Sequence, residues 1–301
     1  MIQIRRNNID ELVEKHYKGI LNHIETKWKK NTLVSDFLQN HTTLKEIITG
    51  NPDELQTIID KIPEKEVAEL SSEIKKVFYY EGFKKWSDYG AYHLANGLQV
   101  NVCPYCNRQF TFTIIEKGKD KGKVRPEFDH FFSQSKYPYL ALSFYNLIPS
   151  CHICNSTLKG SKEFSLKTHI HPYLDEFGKD CKFSLKLKMG KGIDFFYGKK
   201  DSFEITFNHN QNKRIQNNIN DFSLKLIYNE HKDYVSEIIQ KSTAYTDSYM
   251  NSLFNQFEGT LFSSVGDVQK MVMSNYISEE DLDKRVLAKL TKDISEELGL
   301  F

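Results

Sequence analysis

The sequence predicts an α+β fold, in which a mostly helical body carries a central metal-bound finger and a small antiparallel sheet. Apolar residues recur at helical spacing towards both ends of the chain, and β-branched and aromatic residues alternate near its middle. Four of the five cysteines form two C-x-x-C pairs. Because 301 residues exceed what one hydrophobic core usually organises, we expect an N-terminal helical lobe at 1–98, a central core at 99–178 and a C-terminal segment at 179–301.

Residues 8–95 have the pattern of consecutive helices. In "IDELVEKHYKGILNHIETKWKK" the apolar positions follow near-helical spacing, and they are Leu12, Tyr17, Ile20, Leu21, Ile24 and Trp28. The segment from Pro63 to Gly97 begins with proline at a first-turn position and ends on glycine, which is typical of helix boundaries. These patterns predict the helical lobe.

Between residues 100 and 135 the apolar period shifts towards two. The segments "QFTFTII" and "RPEFDHFF" flank the Gly-rich basic stretch "EKGKDKGKV", which predicts a β-hairpin. The following segment "SCHICNSTLKG" predicts a short helix, with Ser150 as its cap and Gly160 as its end.

The segment 179–301 begins with alternating patterns and ends with helical ones. We expect "KFSLKLKM", "IDFFYG" and "FEITFN" to form three short strands of a small antiparallel sheet. Helices are predicted from about residue 210 to the end of the sequence.

The overall charge excludes attraction to nucleic acid by the whole-chain field, because 41 Lys+Arg stand against 40 Asp+Glu. Any such affinity must come from a local patch. No apolar run approaches the roughly 20 residues of a membrane span, and "MIQIRRNNIDELVEKH" lacks a secretory apolar core. We therefore expect a cytoplasmic protein without a membrane partner.

The two C-x-x-C pairs, Cys103 with Cys106 and Cys151 with Cys154, supply the four thiolates of a closed structural zinc site. The alternative is a set of unrelated buried thiols or redox pairs, but no βαβ pattern surrounds them as a thioredoxin-like motif requires. Cys181 stands apart, and we expect it to be a buried small apolar residue.

Asp129, His130 and Asn155 are residue types that phosphodiester hydrolysis requires. The reaction needs a base to deprotonate water, and imidazole titrates near neutrality. It also needs a hard divalent ion, for which carboxylate and amide oxygens are suitable ligands. The alternative for Asp129 and His130 is a strand-end pair that packs and hydrogen-bonds without reacting.

The stretch "PEFDHFF…FYNLIPSCHICNSTLKG", preceded by "CPYCN", resembles the HNH endonucleases with a zinc-stabilised ββα-metal finger. The resemblance covers roughly residues 100–165. It implies that His130 is the general base and that Asn146 braces the finger and helps to orient this base. It also implies a catalytic Mg²⁺ or Mn²⁺ beside the structural Zn²⁺.

The same resemblance assigns the ligands of the catalytic ion. Asp129 matches a metal ligand, and Asn155 matches the third member of the motif, which makes the sequence similar to an H-N-N variant. His152 is an alternative ligand, although Asn155 is the residue at the position of the family motif.

Lysines near the motif are candidate nucleic-acid contacts. We expect the backbone of a nucleic acid to meet Lys119, Lys121 and Lys123 in the basic turn, and Lys159 and Lys162 after Asn155. The alternative is that these lysines are solvent-exposed residues of a hairpin turn and a helix end that contact no nucleic acid.

Outside the finger, "MIQIRR", "YEGFKKWSDYGAYH" and "LAKLTKDISEELGL" are similar to the HNH proteins of prokaryotic antiphage systems such as Septu and some retrons. This resemblance implies a DNA endonuclease that works beside a separate ATPase. Two other readings stay open. One is a catalytically silent zinc-folded module that binds nucleic acid or protein, and the other is an RNA or tRNA nuclease.

Overall fold

The structure is a computed structural model that describes residues 1–116 and 122–300, and it has the α+β class with small antiparallel sheets. The chain forms two compact units. The N-terminal unit comprises Gln3–Tyr105 and Phe110–Glu176, and the C-terminal unit comprises Met1–Ile2, Cys106–Gln109 and Phe177–Phe301. Most of the predicted lobe at 1–98 and most of the predicted core at 99–178 therefore lie in the N-terminal unit.

The first part of the N-terminal unit is helical, as its sequence predicts. Its helices are α1 (Ile9–Lys30), α2 (Thr32–Gln39), α3 (Leu44–Thr49), α4 (Pro52–Lys61), α5 (Glu64–Val77), α6 (Tyr80–Phe83) and α7 (Ala91–Leu98). Helices α3 and α4 begin at capping boxes, in which Thr43 pairs with Glu46 and Asn51 pairs with Glu54. These local signals explain why short helices form here.

The end of α7 differs from the prediction. The helix continues through Gly97 and stops at Gln99, which takes the left-handed conformation with φ of 47°. A Cβ at Gly97 would lie 2.9 Å from the side chain of Leu12. Gly97 is therefore explained by close packing against α1 rather than by a helix end.

The central strands pair differently from the predicted hairpin. Strand β1 (Ile114–Ile115) pairs with β2 (Gly122–Val124), and β3 (Glu127–His130) pairs antiparallel with β4 (Leu147–Ser150). The prediction that "QFTFTII" pairs with "RPEFDHFF" is therefore wrong. Pro126 lies between β2 and β3 and cannot donate to a ladder, and the fully buried β4 has no alternation to reveal it.

A wide helical turn follows β4. The π-helix Ile153–Lys159 ends at Gly160, as predicted, with Gly160 at φ of 53°. The Gly160 amide donates to the Asn155 carbonyl five residues earlier at 2.9 Å. Ser150 is wrong as the predicted cap, because it is the last residue of β4.

The C-terminal unit contains β5 (Cys181–Leu187) paired antiparallel with β6 (Phe203–His209). The predicted strand "IDFFYG" is instead the short helix α8 (Gly192–Phe196), where Asp194 forms ion pairs with Lys191 and Lys199. Short apolar runs do not distinguish strand from helix. Cys181 is buried, as predicted.

Helices complete the C-terminal unit, as the sequence predicts. They are α9 (Lys213–Asp221), α10 (Leu224–Asn229), α11 (Lys232–Ala244), α12 (Asp247–Phe257), α13 (Val265–Met273) and α14 (Ala288–Glu297). Within the described ranges, no helix has both the length and the apolar character that crossing a membrane requires.

A buried histidine connects α1 to the segment that precedes β4. His16 is 0% exposed, and its Nε2 lies 2.8 Å from the carbonyl oxygen of Leu142 while Nδ1 lies 3.2 Å from the Tyr89 hydroxyl. Because a carbonyl only accepts, Nε2 carries the proton and Nδ1 accepts from Tyr89. Burial lowers the pKa of His16 from 6.5 to about 4.

This lowered pKa predicts an acid-sensitive N-terminal unit. The stability that neutral His16 provides is complete above pH 6.5 and is lost as the pH falls towards about 4. We expect the unfolding free energy of the wild type, relative to His16→Gln, to fall by about 2 kcal/mol between about pH 7 and about pH 5. Denaturant titration followed by tryptophan fluorescence measures this, since both tryptophans, Trp28 and Trp86, lie in the N-terminal unit. A pH-independent difference would contradict it.

Candidate functional site

The cysteines of the two C-x-x-C pairs come together. The Sγ atoms of Cys103, Cys106, Cys151 and Cys154 all lie within 4.8 Å of one another. A tetrahedral zinc ion with four thiolates at 2.3 Å separates the sulfurs by about 3.8 Å. The donor set and its spacing therefore fit a closed zinc site, as the sequence predicts.

Strand β3 faces the π-helix through two carboxylates. Residues i and i+2 of a strand share a face, and residues i and i+4 of a helix share a face. Glu127 accepts a hydrogen bond from the Asn155 amide at 2.8 Å, and Asp129 pairs with Lys159. The strand and the helix are thus joined by two parallel side-chain contacts.

The Asp129 contact is a buried ion pair. The two carboxylate oxygens of Asp129 lie 2.7 and 2.9 Å from the Lys159 ammonium nitrogen, and the side chains of both residues are less than 5% exposed. The Tyr105 hydroxyl donates to the same carboxylate at 2.6 Å. Burial and the Asp129 charge raise the pKa of Tyr105 well above its usual value, so the phenol stays a donor.

Glu127 is a more open carboxylate than Asp129. It accepts from the Asn155 amide, from the Ser156 hydroxyl at 3.0 Å and from the His152 ring at 2.8 Å, and its side chain is 39% exposed. Partial burial acts to raise the pKa of Glu127, but these hydrogen bonds outweigh it and hold the pKa below its ordinary value. Glu127 is therefore ionised at neutral pH. Because its carboxylate only accepts, Asn155 presents its NH₂ group to Glu127 and keeps Oδ1 available.

His130 ends β3 with its ring in a fixed orientation. Its Nε2 lies 3.0 Å from the carbonyl oxygen of Ala141, and its ring makes an edge contact with Tyr80 at 4.5 Å between centroids. Since the carbonyl only accepts, Nε2 carries the proton, and Nδ1 keeps a lone pair with no partner among the described residues. Burial lowers the pKa of His130 to about 4, so the ring is neutral at pH 7.

Asn146 braces the segment that follows His130. Its Oδ1 accepts from the Phe132 amide at 2.7 Å, and its NH₂ donates to the carbonyls of Leu140 and Phe132 at 3.0 and 3.2 Å. The side chain is completely buried. Asn146 therefore ties Phe132 to Leu140, the residue directly before Ala141, which is the hydrogen-bond partner of His130.

A cleft of about 450 Å³ opens beside these residues. It is lined by Tyr80, Lys84, Arg125, Glu127, Phe128, His130, Gln134, Asn155 and Ser156. The cleft combines a neutral imidazole, a carboxylate, two amides and two basic side chains. This set of groups suits the hydrolysis of a phosphate ester.

The structure places the sequence-predicted residues in three kinds of environment. His130 and Asn155 line the cleft, whereas Asp129 and Lys159 are paired in the interior. Lys162 and Lys123 are exposed, and Lys123 lies 3.5 Å from Glu116. The predicted contacts Lys119 and Lys121 lie outside the described residues.

Three charged residues of the cleft were not predicted from the sequence as site residues. Glu127 has a usable signal, because it lies two residues before Asp129 and strand alternation places both on one face. Arg125 directly follows the basic stretch at 116–124, and nothing in the sequence separates it from the basic residues there. Lys84 has no signal near the motif, because it follows α6, more than forty positions before His130.

No protein-family model matches the chain, and neither the curated proteins nor the solved structures provide a match. Function is therefore inferred from the motif and from the geometry of the described residues.

The cysteine cluster predicts about one zinc ion per chain in the purified protein. Cys151→Ser removes one of four thiolates, so we expect loss of most of the zinc and a lower unfolding midpoint, because metal binding contributes folding free energy. Plasma mass spectrometry and tryptophan fluorescence measure the two effects.

Cys181→Ala is the matched control, because Cys181 is also buried but lies outside the cluster. This variant should keep its zinc. Equal zinc loss in both variants, or a wild-type protein without bound metal, would contradict the assignment of the cluster.

Proposed function

We propose that the chain is a metal-dependent endonuclease of the HNH type that hydrolyses phosphodiester bonds in DNA. The observation that carries this proposal is His130, whose Nε2 is held by the Ala141 carbonyl while Nδ1 remains unpaired among the described residues of a cleft shared with Asn155 and Glu127. A base oriented in this way, beside oxygen donors for a hard cation, matches the needs of phosphodiester hydrolysis.

His130 acts as the general base in this proposal. Its Nδ1 takes a proton from a water molecule, and the water oxygen forms a bond to phosphorus as the P–O bond to the leaving sugar oxygen breaks. A neutral ring is required, and a pKa of about 4 keeps it neutral across the physiological range. The Ala141 carbonyl stabilises the imidazolium that forms, because it accepts the proton on Nε2.

Asn155 and Glu127 are the oxygen donors best placed for a catalytic Mg²⁺ or Mn²⁺. Both residues line the cleft, and Asn155 keeps Oδ1 available while its NH₂ group binds Glu127. The ion would offset the negative charge that develops on the leaving oxygen. Asp129, the ligand that the resemblance implies, is not among the lining residues, and its oxygens are bound by Lys159 and Tyr105.

The proposal predicts that cleavage depends on His130. We expect His130→Ala to reduce Mg²⁺- or Mn²⁺-dependent plasmid nicking by about 100-fold or more, because general-base catalysis contributes on that scale. His209→Ala is the control, since His209 is on β6 of the C-terminal unit and its ring hydrogen-bonds to the Asn210 carbonyl. Nicking that survives in His130→Ala, measured against this control, would refute the proposal.

The two carboxylates of β3 predict different phenotypes. Asp129→Asn leaves the buried Lys159 charge without its partner, so we expect destabilisation of about 3 to 5 kcal/mol. Glu127→Gln changes a partly exposed group, so we expect near-normal stability but a higher Mg²⁺ concentration for half-maximal nicking. Tryptophan-detected unfolding and metal titrations separate the two effects. If Asp129→Asn were stable and Glu127→Gln had normal metal dependence, Asp129 would be the ligand instead.

Substrate assays distinguish a DNA endonuclease from the two alternatives, an RNA or tRNA nuclease and a catalytically silent binding module. Cleavage of RNA or tRNA but not of DNA would identify the same chemistry on another substrate, and an inactive protein that binds nucleic acid would favour the silent zinc-folded module. The ATPase partner of an antiphage system stays a prediction from the resemblance.

A further inference from the structure

Arg125 is a basic residue of the cleft held in place by contacts on several sides. Its guanidinium lies 5.4 Å from the centre of the Tyr92 ring and 6.0 Å from that of Phe128. One NH₂ group donates to the Pro126 carbonyl at 2.6 Å. Two cation–π contacts and one hydrogen bond thus restrict where the guanidinium can point.

Gly122 of β2 also lies against the Tyr92 ring. A Cβ at Gly122 would lie only 2.2 Å from the Tyr92 ring, so any larger residue would displace the ring. Strand β2 can therefore pack its backbone directly on Tyr92, while Arg125, the residue after β2, covers the same ring. Gly122 and Arg125, three positions apart, thus both contact the Tyr92 ring.

The guanidinium keeps hydrogen-bonding capacity for a ligand. Arginine has five N–H donors, and Arg125 uses one in a described hydrogen bond. No carboxylate among residues 1–116 and 122–300 lies within ion-pair distance of it. A guanidinium that lines a cleft without an acidic partner is suited to binding an anion, and its planar fork matches two phosphate oxygens.

The other basic residue of the cleft, Lys84, is less available to a ligand. Lys84 forms an ion pair with Glu81 at 2.6 Å and lies over the Tyr80 ring. Its charge is therefore already partly compensated. Among the described lining residues, Arg125 is the basic side chain without a carboxylate partner.

We propose that Arg125 is a phosphate-binding residue of the cleft and holds a non-bridging oxygen of the nucleic-acid backbone beside His130. This inference rests on the proposed function for its substrate class, but it concerns binding rather than hydrolysis. Phosphate contacts position the strand without reading its sequence, so Arg125 binds any sequence with similar strength. Tyr92 is a positioning residue, because it acts through Arg125.

Binding measured without cleavage tests this role. Fluorescence anisotropy of a labelled oligonucleotide is followed in the His130→Ala background, with and without Arg125→Gln. We expect Arg125→Gln to weaken binding by about tenfold. The slope of log affinity against log salt concentration should become shallower by about one, since one phosphate contact is lost. The decrease should be similar for unrelated sequences.

Two further variants keep the result interpretable. Arg285→Gln is the matched control, because Arg285 also donates to a carbonyl, that of Ser274, and lies over the Tyr276 ring, but it does not line the cleft. Arg125→Lys retains the charge and should recover the salt slope while recovering only part of the affinity. Tryptophan fluorescence and zinc content show whether each variant is folded.

The outcomes separate this inference from the proposed nuclease activity. Weaker binding and a shallower slope in folded Arg125→Gln support the phosphate contact even if no cleavage is found. Unchanged affinity and slope, or equal losses in Arg285→Gln, would overturn the contact even if His130-dependent cleavage is found.

Discussion

The buried ion pair between Asp129 and Lys159 is the contact on which the proposed site depends. It joins β3 to the π-helix in a place where neither charge reaches solvent, and the Tyr105 hydroxyl completes the coordination of the carboxylate. A buried charge that loses its partner is strongly destabilising, so the strand and the helix are held in one relative position. That position brings the Glu127 carboxylate to Asn155, although Asp129 and Lys159 themselves do not line the cleft.

Because β3 is pleated, its alternate side chains face two different elements, the π-helix and α6. Glu127 and Asp129 face the π-helix, whereas Phe128 and His130 contact Phe83 and Tyr80 of α6. A single four-residue strand thus supplies a carboxylate and an oriented imidazole to the same cleft. The cysteine cluster adds a second constraint, because Cys151 and Cys154 immediately precede Asn155. A metal bound there would fix the beginning of the π-helix.

The residues that the sequence could predict are those whose spacing is local. The cysteine pairs, His130, Asn146 and Asn155 belong to one ordered motif; the structure brings the four sulfurs together and places His130 and Asn155 in one cleft. The predicted strand pairing is wrong for two reasons. Strand β4 is buried along its whole length and shows no alternation, and the basic stretch that the sequence predicts as a turn contains strand β2. Lys84 and Tyr80 could not be predicted, since only tertiary packing brings α6 to β3. The interior position of Lys159 was likewise hidden, because a lysine near a helix end usually faces solvent.

A crystal structure with anomalous scattering measured at the zinc and manganese edges tests the central claim most directly, because it locates both ions in the same molecule. The account predicts zinc among the four cysteine sulfurs, and manganese in the cleft bonded to Asn155 and Glu127, on the side where His130 Nδ1 points. Manganese outside the cleft, or a cleft that takes no ion at saturating concentration, would contradict it.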